Sequence, residues 1–314
     1  MRSQLEKTRP LAGLSLMTEA DFLRAAFPLL ASGEVEVLEW SFDTGWGANA
    51  PAPALREVIA AFSAKSRLIG HGVSFSLLSG EWTERHQTWV DALREEVEDL
   101  SYRHVSEHFG FLTAGNMHQG SPFPVPLTPS ILELGQTRMC LLAETAKVPV
   151  GLENLSFAFT ASDVARQGEF LDLLLEPVNG FLVLDLHNLY CQAVNFECEL
   201  ESLMLRYPLE RVREMHISGG SWSETPSSTR PVRRDTHDEA VPEAIFEFLP
   251  TALEHCPGCE AVIFERIGNT LQHPTDVLQF QQDFRRLKHI LESLYANQPS
   301  YARTVPSHTV GSSC

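Results

Sequence analysis

Short apolar runs alternate with longer amphipathic stretches along most of the chain. The runs are rich in Val, Ile, Leu and Phe and have the length of buried strands, whereas the longer stretches repeat apolar residues with a helical period. The predicted strands cover residues 11–16, 35–41, 67–76, 104–111, 148–155, 180–187, 212–218 and 260–266. The predicted helices cover residues 18–31, 51–64, 84–100, 128–146, 160–176, 197–206, 238–255 and 273–294.

Eight strands that are each followed by a helix have the number and order of a (β/α)8 TIM barrel. We therefore predict an α/β fold with a single TIM-barrel domain over residues 1–296. A disordered C-terminal tail is expected over residues 297–314, and a long loop over residues 219–236 after the seventh strand. The alternative is an open doubly wound sheet, although no strand is followed by a Gly-rich nucleotide-binding motif.

Composition narrows the classes of partner. The 314 residues are 43% hydrophobic, which is enough for a full-sized core. The net charge of −17 argues against nucleic acid, because such binding depends on neutralising phosphates. No apolar run approaches the roughly 18 residues of a membrane span, and the first ten residues lack a signal-peptide core. These features predict a cytoplasmic protein with no nucleic-acid or membrane partner.

Polar residues that can bind metals recur where the apolar strands end. Six of the predicted strands contribute: His71, Glu107, His108, Glu153, Asn154, Asp185, His187, Asn188, His216, Asp235, His237, Asp238 and Glu265. A lone His or Glu on a strand is usually hydrogen-bonded structure, but a barrel interior is normally apolar and metal coordination offsets the cost of burying so many ionisable groups. Oxygen donors mixed with imidazole and without thiolates suit iron, manganese or zinc.

The strand period adds two expectations. Asp185 and His187 are two residues apart, so both should face the same side of an extended strand. Glu107 and His108 are adjacent, so only one of them should point inward.

Two other features have mainly structural interpretations. Cys256 and Cys259 form a C-x-x-C between the seventh helix and the eighth strand, and we interpret them as a surface pair. Arg230, Arg233 and Arg234 form a small basic cluster. Solvated charge is the default interpretation, but their position beside Asp235 leaves open a contact with a substrate carboxylate.

Seven motifs, in order, give the chain a family resemblance. They are H-G-V-S-F-S-L at 71–77, S-E-H-F at 106–109, G-L-E-N-L-S at 151–156, L-D-L-H-N-L-Y at 184–190, M-H-I-S-G-G at 215–220, R-R-D-T-H-D at 233–238 and I-F-E-R at 263–266. Together they resemble the multinuclear non-haem iron-dependent oxidative enzymes that modify ribosomally made peptides, a family that includes the methanobactin biosynthesis enzyme. The resemblance covers roughly the second to the eighth strand.

The resemblance implies a TIM barrel that holds two to three iron ions as a mixture of Fe2+ and Fe3+, with dioxygen as co-substrate. The substrate would be a precursor peptide, commonly modified at cysteine, and a partner protein would hold the peptide's leader segment. The implied metal ligands are His71, His108, Glu153, Asp185, Asn188, His216, Asp235, His237 and Glu265. The implied catalytic residues are Asn154, His187 and Asp238.

Two departures from the family pattern leave the substrate undefined. His187 stands where members commonly have Asn, and the segment L-E-W-S-F-D-T-G-W-G at 38–47 is also unusual. We expect Asn188 to lie next to the metal and His187 to orient a ligand, because strand ends at this face of a barrel curl into loops.

Two alternatives to this function remain. The first is a divalent-metal isomerase or phosphodiesterase-type TIM barrel of the xylose-isomerase class that uses zinc or manganese. The second is a metal-binding partner or sensor without catalysis, in which the metal would lack an open coordination position.

Overall fold

The computed structural model describes residues 8–114, 117–224 and 230–296. Within these ranges, eight parallel strands close into a barrel, and the barrel order follows the chain until the last strand pairs with the first. The predicted α/β TIM barrel is confirmed. The predicted tail over residues 297–314 lies outside the described residues, and the single-domain boundary at residue 296 stays a prediction.

The strands in chain order are β1 (Leu11–Leu16), β2 (Val37–Trp40), β3 (Leu68–Gly72), β4 (Val105–His108), β5 (Phe111–Ala114), β6 (Met117–Phe123), β7 (Val150–Glu153), β8 (Phe181–Asp185), β9 (Val212–Ile217), β10 (Trp222–Ser223), β11 (Val232–Arg233) and β12 (Ala261–Phe264). The helices are α1 (Ala20–Ala31), α2 (Pro53–Ala64), α3 (Glu84–Asp99), α4 (Pro129–Ala146), α5 (Ala161–Leu175), α6 (Leu186–Asn195), α7 (Leu200–Met204), α8 (Glu243–His255) and α9 (Pro274–Leu294). The pairs β5–β6 and β10–β11 are antiparallel and lie outside the barrel.

The sequence pattern located every barrel strand but misplaced several ends. The clearest difference concerns the strand predicted over residues 180–187, because β8 ends at Asp185 and the helix α6 begins at the next residue. The α6 helix was missed, and the predicted helix over 197–206 shrinks to α7. The loop predicted over 219–236 contains the short β10–β11 pair.

The barrel interior is apolar in one part and polar in another. Val37, Ile69, Ala261 and Ile263 form a small buried cluster inside the ring of strands. The outer faces of the strands pack against the helices in the main core. Buried carboxylates and imidazoles occupy the remaining interior, which sets this barrel apart from one filled by branched apolar side chains.

Two further findings concern the chain outside the barrel interior. Cys256 and Cys259 are both buried, so their interpretation as a surface pair is wrong. They pack at the start of β12, where the helix–strand connection folds into the core. Among the described residues, no helix combines the length and the apolar character needed to cross a membrane.

Candidate metal centre

Seven of the residues predicted as ligands meet at the carboxyl ends of the barrel strands. They fall into three triplets, and within each triplet the potential ligand atoms all lie within 4.8 Å of one another. The first triplet is His71, His108 and Glu153; the second is Glu153, Asp185 and His216; the third is Asp185, His237 and Glu265. Glu153 and Asp185 each belong to two triplets, so the three candidate positions form a row joined by shared carboxylates.

The first triplet is held by neighbouring strands. His71 Nε2 and His108 Nε2 lie 3.3 and 3.4 Å from the same oxygen, Glu153 Oε2. The other ring nitrogen of His71 lies 2.8 Å from Ser106 Oγ, which fixes the ring with Nε2 towards the carboxylate. Glu153 ends β7, next to His108 at the end of β4.

Glu107 has a different role from its neighbour His108. Its carboxylate accepts hydrogen bonds from the backbone nitrogens of Phe75 (2.7 Å) and His108 (2.6 Å). Burial and the charge of Asp43 raise the pKa of Glu107 to about 8. The expectation that only one of the adjacent pair serves the cluster agrees with this geometry.

The junction between β8 and α6 places the second triplet. Asp185 caps the helix, since its Oδ1 accepts a hydrogen bond from Asn188 N at 2.5 Å. Because the chain is helical from Leu186, the strand period does not apply there, and the prediction that Asp185 and His187 share a strand face is wrong. Residues three apart in the first turn lie close together instead, which brings Asn188 beside Asp185.

Asn188 and His187 point to different neighbours. Asn188 Nδ2 donates to Glu153 Oε1 (3.0 Å) and to the backbone oxygen of Asn154 (2.9 Å). His187 Nδ1 lies 3.0 Å from Asp235 Oδ1. Asn188 therefore contacts Glu153, which two triplets share. His187 contacts Asp235, which in turn contacts a triplet residue, His237.

The loop after β9 brings His237 into the third triplet. Asp235 Oδ1 lies 2.9 Å from His237 Nε2, so one carboxylate oxygen holds both His187 and His237. His237 has a φ of +53°. Residues other than glycine rarely adopt this backbone conformation, and when they do it is often at a functional site. At Gly220, an added Cβ would lie 2.1 Å from the backbone oxygen of Arg234 and 2.9 Å from His187 Cε1, so this close approach requires glycine.

Besides Asn188 and His187, three further predicted residues lie beside the triplets rather than in them. Asp235 contacts the two imidazoles just described. The side chain of Asn154 hydrogen-bonds to the β8 backbone, since its Oδ1 accepts from Asp185 N (2.7 Å) and its Nδ2 donates to Asp185 O (3.1 Å). Asp238 accepts a hydrogen bond from Thr236 Oγ1 at 2.5 Å.

Opposite charges are concentrated within the cluster. Burial lowers the pKa of His71, but Glu153 and Glu39 outweigh burial and raise it to about 9. Burial likewise opposes the charged form of Glu265, yet His216 and His237 lower its pKa to about 2. Burial together with nearby carboxylates raises the pKa of Asp185 well above its ordinary value. The cluster therefore holds protons that a metal ion would displace.

Several buried polar atoms in the cluster make no hydrogen bond within the described part of the chain, although oppositely charged groups lie near His216 Nδ1, His237 Nε2 and Glu265 Oε2. They are Asp185 Oδ2, Asn188 Oδ1, His216 Nδ1, His237 Nε2 and Glu265 Oε2. A buried polar atom without a partner costs about 1–3 kcal/mol, and such atoms are rarely retained in groups. Oxygen and imidazole nitrogen atoms of this kind are the donors that iron, manganese and zinc accept, so the residues fit a metal centre.

Solvent reaches the two ends of the row and not its middle. The side chains of His108 and His237 are 21% and 22% exposed. The side chains of Glu153, Asp185 and His216 are almost fully buried. A substrate entering the barrel mouth would therefore meet the first and third triplets.

Sequence reasoning missed a second buried group below the row. His216 Nε2 lies 3.1 Å from Glu39 Oε2 and 3.2 Å from Glu214 Oε1. Glu214 Oε2 lies 2.6 Å from His104 Nε2, and all four side chains are fully buried. The two-residue spacing of Glu214 and His216 was a usable signal for this pair. Because both carboxylates face Nε2, they leave His216 Nδ1 directed towards Glu153 and Glu265.

The two deep carboxylates should respond oppositely to replacement by methionine. Glu214→Met removes the partner that His104 and His216 share and should destabilise the metal-free protein by about 3 kcal/mol. Glu39→Met should leave stability unchanged or raise it by about 1 kcal/mol, because burial raises the pKa of Glu39 and His216 keeps its contact with Glu214. Chemical denaturation of both metal-depleted variants measures the difference, and equal destabilisation would contradict it.

Two relatives match most of this chain at low identity. A UPF0276 protein of Rhizorhabdus wittichii is 25% identical over 280 residues, which cover 88% of this chain and 95% of the relative. A UPF0276 protein of Caulobacter vibrioides is 25% identical over 255 residues, which cover 81% of this chain and 85% of the relative.

Solved structures show the same fold. A xylose isomerase domain protein from Planctomyces limnophilus has a TM-score of 0.57 at 16% identity, covering 93% of this chain and 99% of its own. An L-ribulose 3-epimerase has a TM-score of 0.56 at 15% identity, covering 91% of this chain and 96% of its own. At these identities the likeness concerns the fold alone.

The family comparison is more specific than the structural one. The profile of the family described as RiPP precursor modification enzyme MbnB/TglH/ChrH, where RiPP denotes a ribosomally synthesised and post-translationally modified peptide, matches residues 47–290. This range includes every member of the three triplets. The chain therefore belongs to the MbnB/TglH/ChrH family of RiPP precursor modification enzymes.

Proposed function

We propose that this chain is an iron-dependent enzyme that uses dioxygen to modify a cysteine residue of a ribosomally made precursor peptide. The observation that carries the proposal is the row of three triplets joined through Glu153 and Asp185. Shared carboxylates are suited to hold neighbouring ions, which supports a centre of two to three iron ions with mixed Fe2+ and Fe3+. The family membership supports the peptide as substrate.

The ligands would be the seven triplet residues together with Asn188 and Asp235, which lie next to the triplets. Asn188 Oδ1 is buried without a partner in the described ranges, and Asp235 Oδ1 lies 2.9 Å from His237 Nε2. Iron bound there would supply one-electron and dioxygen chemistry that protein side chains lack.

The chain's own residues would position that chemistry. Ser106 contacts Nδ1 of His71 and so leaves Nε2 for an ion, and orientation of ligating imidazoles by such neighbours is a common device. Asp235 lies 2.9 Å from Nε2 of His237 itself. The partly exposed His108 and His237 mark where the peptide would approach, while the buried middle of the row excludes water. His187 and Asn154 would act by holding Asp235 and Asp185, and a catalytic role for Asp238 stays a prediction.

The partner protein that presents the leader segment is also part of this proposal. Its support is the family's substrate class, a precursor peptide. The alternative function is a zinc or manganese isomerase or phosphodiesterase of the xylose-isomerase class. The same donor set would accept those ions, and the structural neighbours share its fold.

Metal analysis of protein purified without oxygen is the decisive test. We expect about two to three iron ions per chain, mixed-valent Mössbauer spectra, and oxygen uptake that requires a cysteine-containing precursor peptide. The peptide's mass should change only when both iron and oxygen are present. Protein that is active with zinc or manganese alone, without oxygen, would show that the alternative is correct.

A further inference from the structure

Arg233 is a buried cation at the barrel mouth with unusual surroundings. The residue is 5% exposed and its guanidinium carbon lies 5.9 Å from the centre of the Tyr190 ring and 5.4 Å from that of the Trp222 ring. Both rings attract the cation through their faces. Trp222 itself is 48% exposed, so this side of the group borders solvent.

The backbone of Arg233 is fixed as firmly as its side chain. Arg233 N donates to Asn195 Oδ1 and Asn195 Nδ2 donates to Arg233 O, both at 2.9 Å. Pairing with Trp222 in the β10–β11 hairpin adds a second restraint. The guanidinium is therefore held in place before any ligand arrives, which reduces the entropy lost on binding.

Within the described part of the chain, Arg233 uses little of its hydrogen-bonding capacity. A guanidinium has five N–H donors in a planar fork that matches a carboxylate. Within the described ranges, Nε is buried without an acceptor, and the ion-pair partner of Arg233 is Glu239, 3.5 Å from Nη1. The Glu239 side chain is 52% exposed, so this long contact is weak and easily displaced.

Arg233 also lies next to the candidate metal centre. Asp235, two residues further on, contacts His187 and His237. The ring of Tyr190 stacks on His187 with centroids 6.2 Å apart. The neighbouring Arg230 and Arg234 are exposed, which distinguishes Arg233 from the rest of the basic cluster.

We propose that Arg233 is the anchor for a carboxylate of the bound peptide. The carboxylate, from the peptide's C-terminus or from an acidic side chain, would displace Glu239 and occupy the fork between Tyr190 and Trp222. The reacting residue would then lie towards His237 and the third triplet. This inference deepens the proposed function and rests on its peptide substrate.

Three short peptides test the anchor by calorimetry in the absence of oxygen. The probes are N-acetyl-Ala-Cys with a free C-terminal carboxylate, the same dipeptide as its C-terminal amide, and N-acetyl-Glu-Ala-Cys amide. We expect at least one carboxylate peptide to bind about tenfold tighter than the dipeptide amide, because charge-assisted bidentate pairs are strong. The carboxylate peptide that binds more tightly shows whether the anchored group is the C-terminus or an acidic side chain.

Two variants and one control connect the preference to this site. Arg233→Met keeps an unbranched stem between the rings and should abolish the preference, whereas Glu239→Gln removes the displaced competitor and should strengthen carboxylate binding about threefold. Arg234→Gln, an exposed neighbour, should retain the preference. Equal binding of the three peptides, absence of binding, or a preference that survives in a folded Arg233→Met protein would overturn the proposal. Glu239→Gln tests it even when Arg233→Met does not fold.

Metal-depleted protein separates this inference from the proposed function. The carboxylate preference should persist without iron, because Arg233 belongs to none of the triplets. A preference in a protein that neither binds iron nor consumes oxygen would contradict the proposed function alone. An active iron protein without the preference would contradict the anchor alone.

Discussion

Replacement of Glu153 by glutamine is expected to remove two of the three metal positions at once. Glu153 is shared by the first and second triplets, and both His71 and His108 lie within 3.4 Å of its Oε2. Glutamine preserves the side-chain shape but provides one neutral oxygen instead of two charged ones. Metal content should fall to about one ion per chain, and oxygen uptake should fall by at least about a hundredfold.

Two other variants act as matched controls for Glu153→Gln. His237→Ala affects the third triplet only and should remove about one ion. Glu107→Gln alters a buried carboxylate outside the triplets and should leave the metal content unchanged. If Glu153→Gln retained all its ions, Glu153 would not be a bridging ligand.

Metal affinity should rise steeply with pH through the neutral range. The pKa of His71 is raised to about 9, and those of His216 and His237 are raised well above their ordinary value. In each case burial lowers the pKa, but neighbouring carboxylates outweigh it. These imidazoles are therefore protonated at neutral pH in the metal-free protein and must lose protons to bind an ion. Each displaced proton improves the apparent Kd about tenfold per pH unit.

Competition with a chelator, using Fe2+ without oxygen at several pH values, measures this slope. We expect a change of at least about a hundredfold per pH unit between pH 6 and 8, which corresponds to two displaced protons. The carboxylates with lowered pKa, such as Glu265 at about 2, are ionised throughout this window and add nothing. His237→Ala should reduce the slope of the remaining binding. A pH-independent Kd would show that the imidazoles are not ligands.

The sequence by itself determined the barrel and most members of the cluster. Apolar runs at regular intervals predicted all eight barrel strands, because buried parallel strands must be nearly continuous in apolar residues. The same pattern brought His71, Glu153 and His216 together, since parallel strands that close into a barrel end at one face. These conclusions depend on local pattern and on topology, both of which one chain displays.

The tertiary structure decided which polar residues face one another. The strand period failed at Asp185, because its carboxylate caps α6 and the chain turns helical where an extended strand was predicted. Glu39 and Glu214 were missed because both lie inside strands rather than at their carboxyl ends, and Glu39 meets His216 and Glu214 meets His104 across the barrel. Arg233 looks like Arg230 and Arg234 in sequence, and only the packing of Tyr190 and Trp222 around it separates them. Burial and pairing arise from residues distant in the chain, so local sequence patterns do not encode them.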